Sequence, residues 1–140
     1  MMEARVEWVG DRTFVGVSGS GHGLVMGARY QDRPAPGPSP MELLLLGLAG
    51  CTGFDVVMIL ERGREPIAGC TVSVEAERAA ADPQVFTRIH LNYVVTGTGL
   101  SRAKVERAVQ LSEEKYCSAS AMFVKIATMT REVEIVDSAG

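Results

Sequence analysis

Residues 41–60 read MELLLLGLAGCTGFDVVMIL, and the fold turns on what this run becomes. Its length and apolarity suit a membrane span. It carries Glu42 and Asp55, however, and Gly47, Gly50 and Gly53 interrupt it. No other segment offers a second span. A helix apolar nearly all round is more simply a core helix, wrapped by a sheet or by a second subunit. Its start is marked in the preceding residues. Ser39 is the expected N-cap, Pro40 takes the first helical position, and Glu42 completes a capping box. Its end is expected near Arg62-Gly63, where glycine caps the last turn.

Working outward, the segment before the helix is extended. Ala4, Val6 and Trp8 alternate with Arg5 and Glu7. The pattern breaks at Gly10-Asp11 and resumes over Thr13–Val17, a hairpin signal. A third extended piece is expected over Gly23–Tyr30. RPAPGPSP, residues 33–40, is a stiff loop without regular structure. After the helix, Gly69–Arg78 and Val85–Thr96 read as an antiparallel hairpin across a DPQ turn. Ser101 opens a second helix with Val105, Ala108, Val109 and Leu111 at helical spacing, ending near Tyr116-Cys117. A further helical turn is expected over Ala119–Lys125, then a strand over Ile126–Val136. The order is three β pieces, a long helix, two strands, a helix and a strand. Helices and strands do not strictly alternate, so the class is α+β, with N-terminal strands followed by a split β-α-β-β-α-β pattern. Residues 1–140 are expected to form one domain. A central helix this apolar is hard to bury in 140 residues, which points to an intertwined homodimer around it.

Composition narrows the function classes. A net charge of −3 with both signs interspersed leaves no basic footprint for nucleic acid or anionic membrane. Three dispersed cysteines argue against a secreted disulfide scaffold. MMEARVEWVG lacks an apolar signal core, so a cytoplasmic location is expected. His22 and His90 are isolated, no metal-ligand spacing occurs, and GSGHG (residues 19–23) is a turn rather than a phosphate cradle. Neither metal nor cofactor is expected.

Cys51 is the candidate centre. On a helical projection it shares a face with Leu44, Leu48, Asp55 and Met58. Asp55 there is unusual: it can hydrogen-bond locally or line a polar pocket, and its charge would raise the cysteine pKa. The glycines around Cys51 leave room for a backbone or a ligand, at about 1 kcal/mol each in a helix interior. Against this stands the plain alternative of a buried structural cysteine. Cys117 follows SEEKY at a helix end. Cys70, at a strand start, reads as a small apolar packing residue.

Three segments together carry a family resemblance: SPMELLLLGLAGC (39–51), FTRIHLNYVVTG (86–97) and LSEEKYCSASAM (111–122). The chain resembles the OsmC/Ohr superfamily along nearly its whole length, most of all the YhfA-like branch. The resemblance implies an intertwined α+β homodimer with sites at the subunit interface. It implies that Cys51 attacks an organic hydroperoxide and that Cys117 resolves the sulfenic acid into a disulfide, which a cellular dithiol reduces. It further implies an arginine that stabilises the thiolate, for which Arg29 is the first candidate and Arg33 the second. Peroxidase members place a glutamate directly after the helix-starting proline; here Met41 stands there and Glu42 is displaced by one. The proline that often follows the second cysteine is Ser118 here. The site residues expected are therefore Cys51, Cys117, Arg29 and Glu42. A different reading makes the protein a dimeric module for a small apolar or acyl ligand, lined by Met41, Met58, Met122 and Met129, or a redox sensor without peroxidase activity.

Overall fold

The computed structural model describes residues 1–138. They divide into two compact units, Met1–Leu45 and the segment from Leu46 onward. The long helix α1 (Pro40–Arg62) runs through the boundary.

The first unit holds an antiparallel sheet in the order β1 (Ala4–Trp8), β2 (Thr13–Ser18), β3 (Gly23–Gly27). Trp8 pairs with Phe14 and Phe14 with Met26. Tight turns at Asp11 (φ 47°) and Gly21 (φ 88°) join the strands. β3 is shorter than the sequence suggests and stops at Gly27. A Cβ there would lie 2.2 Å from the Arg12 carbonyl oxygen and 2.8 Å from Pro36, so only glycine fits where the proline loop closes. At the head of α1 the capping box forms as expected: the Ser39 N–H donates to Glu42 Oε1 at 2.9 Å, and the Glu42 N–H donates to Ser39 Oγ at 3.1 Å.

The second unit packs the remainder of α1 with β4 (Ile67–Arg78), β5 (Phe86–Gly97), α2 (Arg102–Leu111), a π-helical turn (Ser112–Tyr116), α3 (Ser118–Phe123) and β6 (Thr128–Asp137). β5 is central, antiparallel to β4 and parallel to β6. The antiparallel hairpin read from the sequence is present. Of the β-α-β-β-α-β pattern, β4, β5 and β6 share a sheet through the α2 crossover. β3 is already paired with β2 and stays in the first sheet. Alternate residues of β5 (Ile89, Leu91, Tyr93 and Val95) are buried, as are Leu48, Val56 and Leu60 of α1 and Val105, Ala108 and Val109 of α2. Such side chains supply the driving force, about 1.5–3 kcal/mol each for full burial.

α1 is less covered than the sequence suggests. One stripe, Leu48, Thr52, Val56 and Leu60, is buried within this chain. Leu46, Phe54 and Met58 lie exposed on the opposite side. Gly63 does not take the left-handed position at the helix end; Arg64 does, with φ 60°. The Glu65 N–H donates to the Leu60 carbonyl and the Arg64 N–H to that of Glu61, a Schellman closure one residue later than expected. The second helix also differs. Its α-helical part ends at Leu111, and a π turn carries the chain to Cys117. Single π turns of this kind occur often at functional sites.

Candidate functional site

α1 and the segment after α2 bring Cys51 and Cys117 near enough for the Cys51 thiol to influence that of Cys117. Both are free thiols, as is Cys70. Cys117 is 2% exposed. The π turn delivers it there, because its N–H donates to the Ser112 carbonyl at 2.7 Å. Its sulfur then caps α3, accepting the Ser120 N–H at 3.3 Å. Burial is the main influence on this thiol and pushes its pKa up; the nearby Cys51 thiol pushes the same way, while Ser120 pulls it down. The Ser120 hydroxyl is buried and meets hydrogen-bonding geometry with no group among the described residues. The Ser120 backbone N–H is the group that holds the sulfur. Cys51 itself is half-buried.

Behind the thiols runs a chain of oxygens that sequence reasoning did not anticipate. Thr52, directly after Cys51, places its Oγ1 2.9 Å from the Tyr93 phenol and 2.7 Å from Ser112 Oγ. Tyr93 donates to Glu113 Oε1 at 2.9 Å, and Arg131 of β6 forms an ion pair with Glu113 Oε2. At the other end, Ser112 Oγ lies 2.9 Å from Asp55 Oδ2. The sequence offered Asp55 a local hydrogen bond or a place lining a polar pocket; the partner found is Ser112, 57 residues away. Burial raises the Tyr93 phenol far above the usual tyrosine range. Tyr93 reads in the sequence as one more apolar member of β5, so nothing there flags its hydroxyl.

The other two expected site residues belong to the first unit. Glu42 is bound in the α1 cap, and the Ser39 N–H, followed by the Ser39 hydroxyl, holds its carboxyl below the usual range. Arg29 is exposed in the segment after β3, without hydrogen bond or ion pair among the described residues. Arg33 pairs with Asp11 at 2.5 Å.

A separate groove of about 680 Å³ runs along the outer side of α1, lined by Leu46, Gly50, Gly53, Phe54, Met58 and Cys70 among others. Burial raises the Cys70 pKa. Of the methionines weighed as a ligand lining, Met58 reaches this groove, whereas Met122 is exposed elsewhere. Among the described residues no group of three or more His, Cys, Asp or Glu is placed to hold a metal.

Comparison with known proteins bears on the family and the fold. The model of the OsmC-like protein family matches residues 31–131. Protein YhfA of Escherichia coli (strain K12) is 44% identical over 135 residues, covering 96% of this chain and 98% of its own. Among solved structures, an OsmC-like protein from Mycoplasma pneumoniae superposes with a TM-score of 0.84 at 17% identity, covering 97% of both chains. The organic hydroperoxide resistance protein OhrB of Bacillus subtilis gives 0.63 at 19% identity, covering 96% of this chain and 98% of that one. At these identities the two structures share the fold.

Proposed function

This chain belongs to the OsmC-like family, and on that footing we propose that it is a cytoplasmic, homodimeric thiol protein that reduces organic hydroperoxides through Cys51 and Cys117. Family membership supports a redox or peroxide-defence role. The observation that carries the finer reading is that the Cys51 thiol lies near enough to influence that of Cys117. Cys51 is the nucleophile: it is the more accessible of the pair and lies among glycines that leave space for a substrate. Its thiolate attacks the distal peroxide oxygen, the O–O bond breaks to give a sulfenic acid and an alkoxide, and the alkoxide leaves as an alcohol on taking from solvent the proton that Cys51 released on ionising. Cys117 then attacks the Cys51 sulfur, and the departing hydroxide takes the Cys117 proton as water. A cellular dithiol reduces the disulfide. Burial suits Cys117 to the resolving role, because a protonated thiol away from solvent does not compete for peroxide.

Arg29 carries the thiolate-stabilising role as part of this proposal, and Arg29→Gln is expected to slow peroxide consumption. Glu42 is given a structural task, since Ser39 engages its carboxylate. The homodimer reading is supported by Leu46, Phe54 and Met58 exposed along α1. A Cβ on Gly47 or Gly50 would meet nothing within 4 Å in this chain, which leaves that side open to a second copy.

The experiment is turnover of tert-butyl or cumene hydroperoxide with a dithiol, comparing the protein with Cys51→Ser. Consumption no faster than that of the variant rules the activity out. The groove beside α1 favours a second reading, a binding module for a small apolar or acyl ligand. A melting shift with a fatty acid, without peroxide-driven disulfide formation, would decide for it.

A further inference from the structure

Ser120 carries a buried hydroxyl with nothing to bind. The residue is 2% exposed, and the hydroxyl meets hydrogen-bonding geometry with no group among the described residues. A buried polar group left unmet costs free energy. The usual local partners do not take it. Ser120 stands three residues after Cys117, the residue that caps α3. A polar side chain at that position ordinarily reaches back to the N–H of the capping residue, but the Cys117 N–H donates to the Ser112 carbonyl at 2.7 Å. Serine within a helix otherwise bonds a carbonyl of the preceding turn, and no such bond forms here.

The neighbour of this hydroxyl is the Cys117 sulfur, which the Ser120 N–H reaches at 3.3 Å. Burial pushes the Cys117 thiol pKa up and the Cys51 thiol adds to it; the Ser120 hydroxyl and, after it, the Ser120 N–H pull it down. The hydroxyl is thus close to the sulfur, though out of line for a bond to the neutral thiol. A neutral thiol is a weak acceptor, and the N–H already serves it. A thiolate accepts stronger, charge-assisted bonds, and a serine hydroxyl turns to suit its partner. The titratable groups that face this thiol are Cys51 of α1 and Tyr93 of β5, whose phenol donates to Glu113 of the π turn.

We propose that Ser120 is the donor that holds the Cys117 sulfur as a thiolate, its hydroxyl joining the backbone N–H while Cys117 closes and reopens the bond to Cys51. The proposal rests on the hydroperoxide reading above. In closing, the Cys117 proton passes to the hydroxide leaving the Cys51 sulfenic acid, and the electron pair it frees forms the S–S bond. In reopening, a thiolate of the cellular dithiol attacks Cys51, the more accessible sulfur. The S–S bond breaks and its electron pair leaves on Cys117, where both Ser120 donors receive the charge. A thiol that leaves as a stabilised anion leaves faster. Cys117 then takes the proton of the second thiol of the reductant. That sulfur displaces Cys51 as a thiolate, which matches the proton shed by the first.

Two measurements test it, each with Ser120→Ala, which keeps the backbone N–H. The first uses a Cys51→Ser, Cys70→Ser background, where Cys117 is the remaining thiol. Ser120→Ala should move the pH midpoint of Cys117 alkylation by iodoacetamide upward by about one pH unit, the tenfold that a bond to a charged group contributes. It should leave the urea midpoint at neutral pH unchanged or higher, because the hydroxyl it removes is unmet while Cys117 is a thiol. An unmoved alkylation midpoint overturns the proposal, and so does a fall in the urea midpoint. The second follows the protein with its three cysteines after tert-butyl hydroperoxide. Ser120→Ala should leave sulfenic acid formation at Cys51 unchanged and slow both disulfide closure and reduction by dithiothreitol, roughly 3–10-fold. Closure and reduction at the wild-type rate overturn the role in the cycle. A wild type that forms no Cys51–Cys117 disulfide overturns the hydroperoxide reading, while a shifted alkylation midpoint in the first measurement still supports Ser120 as the thiolate donor.

Discussion

The Tyr93 phenol of the central strand β5 lies 2.9 Å from Thr52 Oγ1, on the residue directly after Cys51. This contact ties the buried stripe of α1 to the sheet beside the thiol pair. Removing either hydroxyl strands buried partners. Tyr93→Phe and Thr52→Val should each cost roughly 1–3 kcal/mol, read as a fall in the urea midpoint with an unchanged slope. The double variant should cost less than the sum, because one contact is lost in both.

The α1 cap makes a separate, local contribution. Ser39→Ala removes the acceptor for the Glu42 N–H and should cost about 1 kcal/mol. The cap also has an acid signature. The Glu42 carboxyl sits below its ordinary value because of Ser39. Its stabilisation is present above the unfolded-state pKa and is lost as pH falls through the lower folded-state value. Unfolding curves over the acid range should show that loss in wild type and less of it in Glu42→Gln.

Cys117 works at the opposite end of the pH scale. Burial raises its thiol pKa. A raised value means that stability is full below the unfolded thiol pKa and declines as pH climbs through the folded one. Cys117→Ala should therefore flatten the alkaline decline in stability. Alkylation by iodoacetamide should reach Cys117 more slowly than Cys51 at neutral pH, as peptide mapping would show. Equal labelling would contradict the burial argument.

Along α1, Leu46, Phe54 and Met58 stand in water in the isolated chain. Burying side chains of this kind is worth roughly 1.5–3 kcal/mol each. Phe54→Asp should convert the expected homodimer into a monomer, measured by sedimentation equilibrium. A wild type that sediments as a monomer would remove the dimer from the proposal.

Local signals proved readable where their cause is local. Ser39, Pro40 and Glu42 announce the start of α1, Ser101 caps α2 through the Lys104 N–H, and the alternation of β5 matches its buried set. The resemblance carried by the Cys51 and Cys117 contexts agrees with the family the chain belongs to. The oxygen chain was not readable, since Thr52, Tyr93 and Ser112 lie far apart in sequence and each passes for an ordinary core or cap residue. The π turn was hidden for a related reason: SEEKY continues the helical pattern of α2, and nothing in its composition marks the wider turn. Arg64 took the left-handed position because closure of α1 depends on where the Leu60 and Glu61 carbonyls find donors, not on where glycine falls.

The pairing of Cys51 with Cys117 is tested most directly by treating the fully reduced protein with one equivalent of tert-butyl hydroperoxide and mapping its cysteines by mass spectrometry. The account predicts rapid loss of two thiols, a Cys51–Cys117 disulfide within the chain, and a free Cys70. A protein that keeps all three thiols, or whose disulfide involves Cys70, would contradict it.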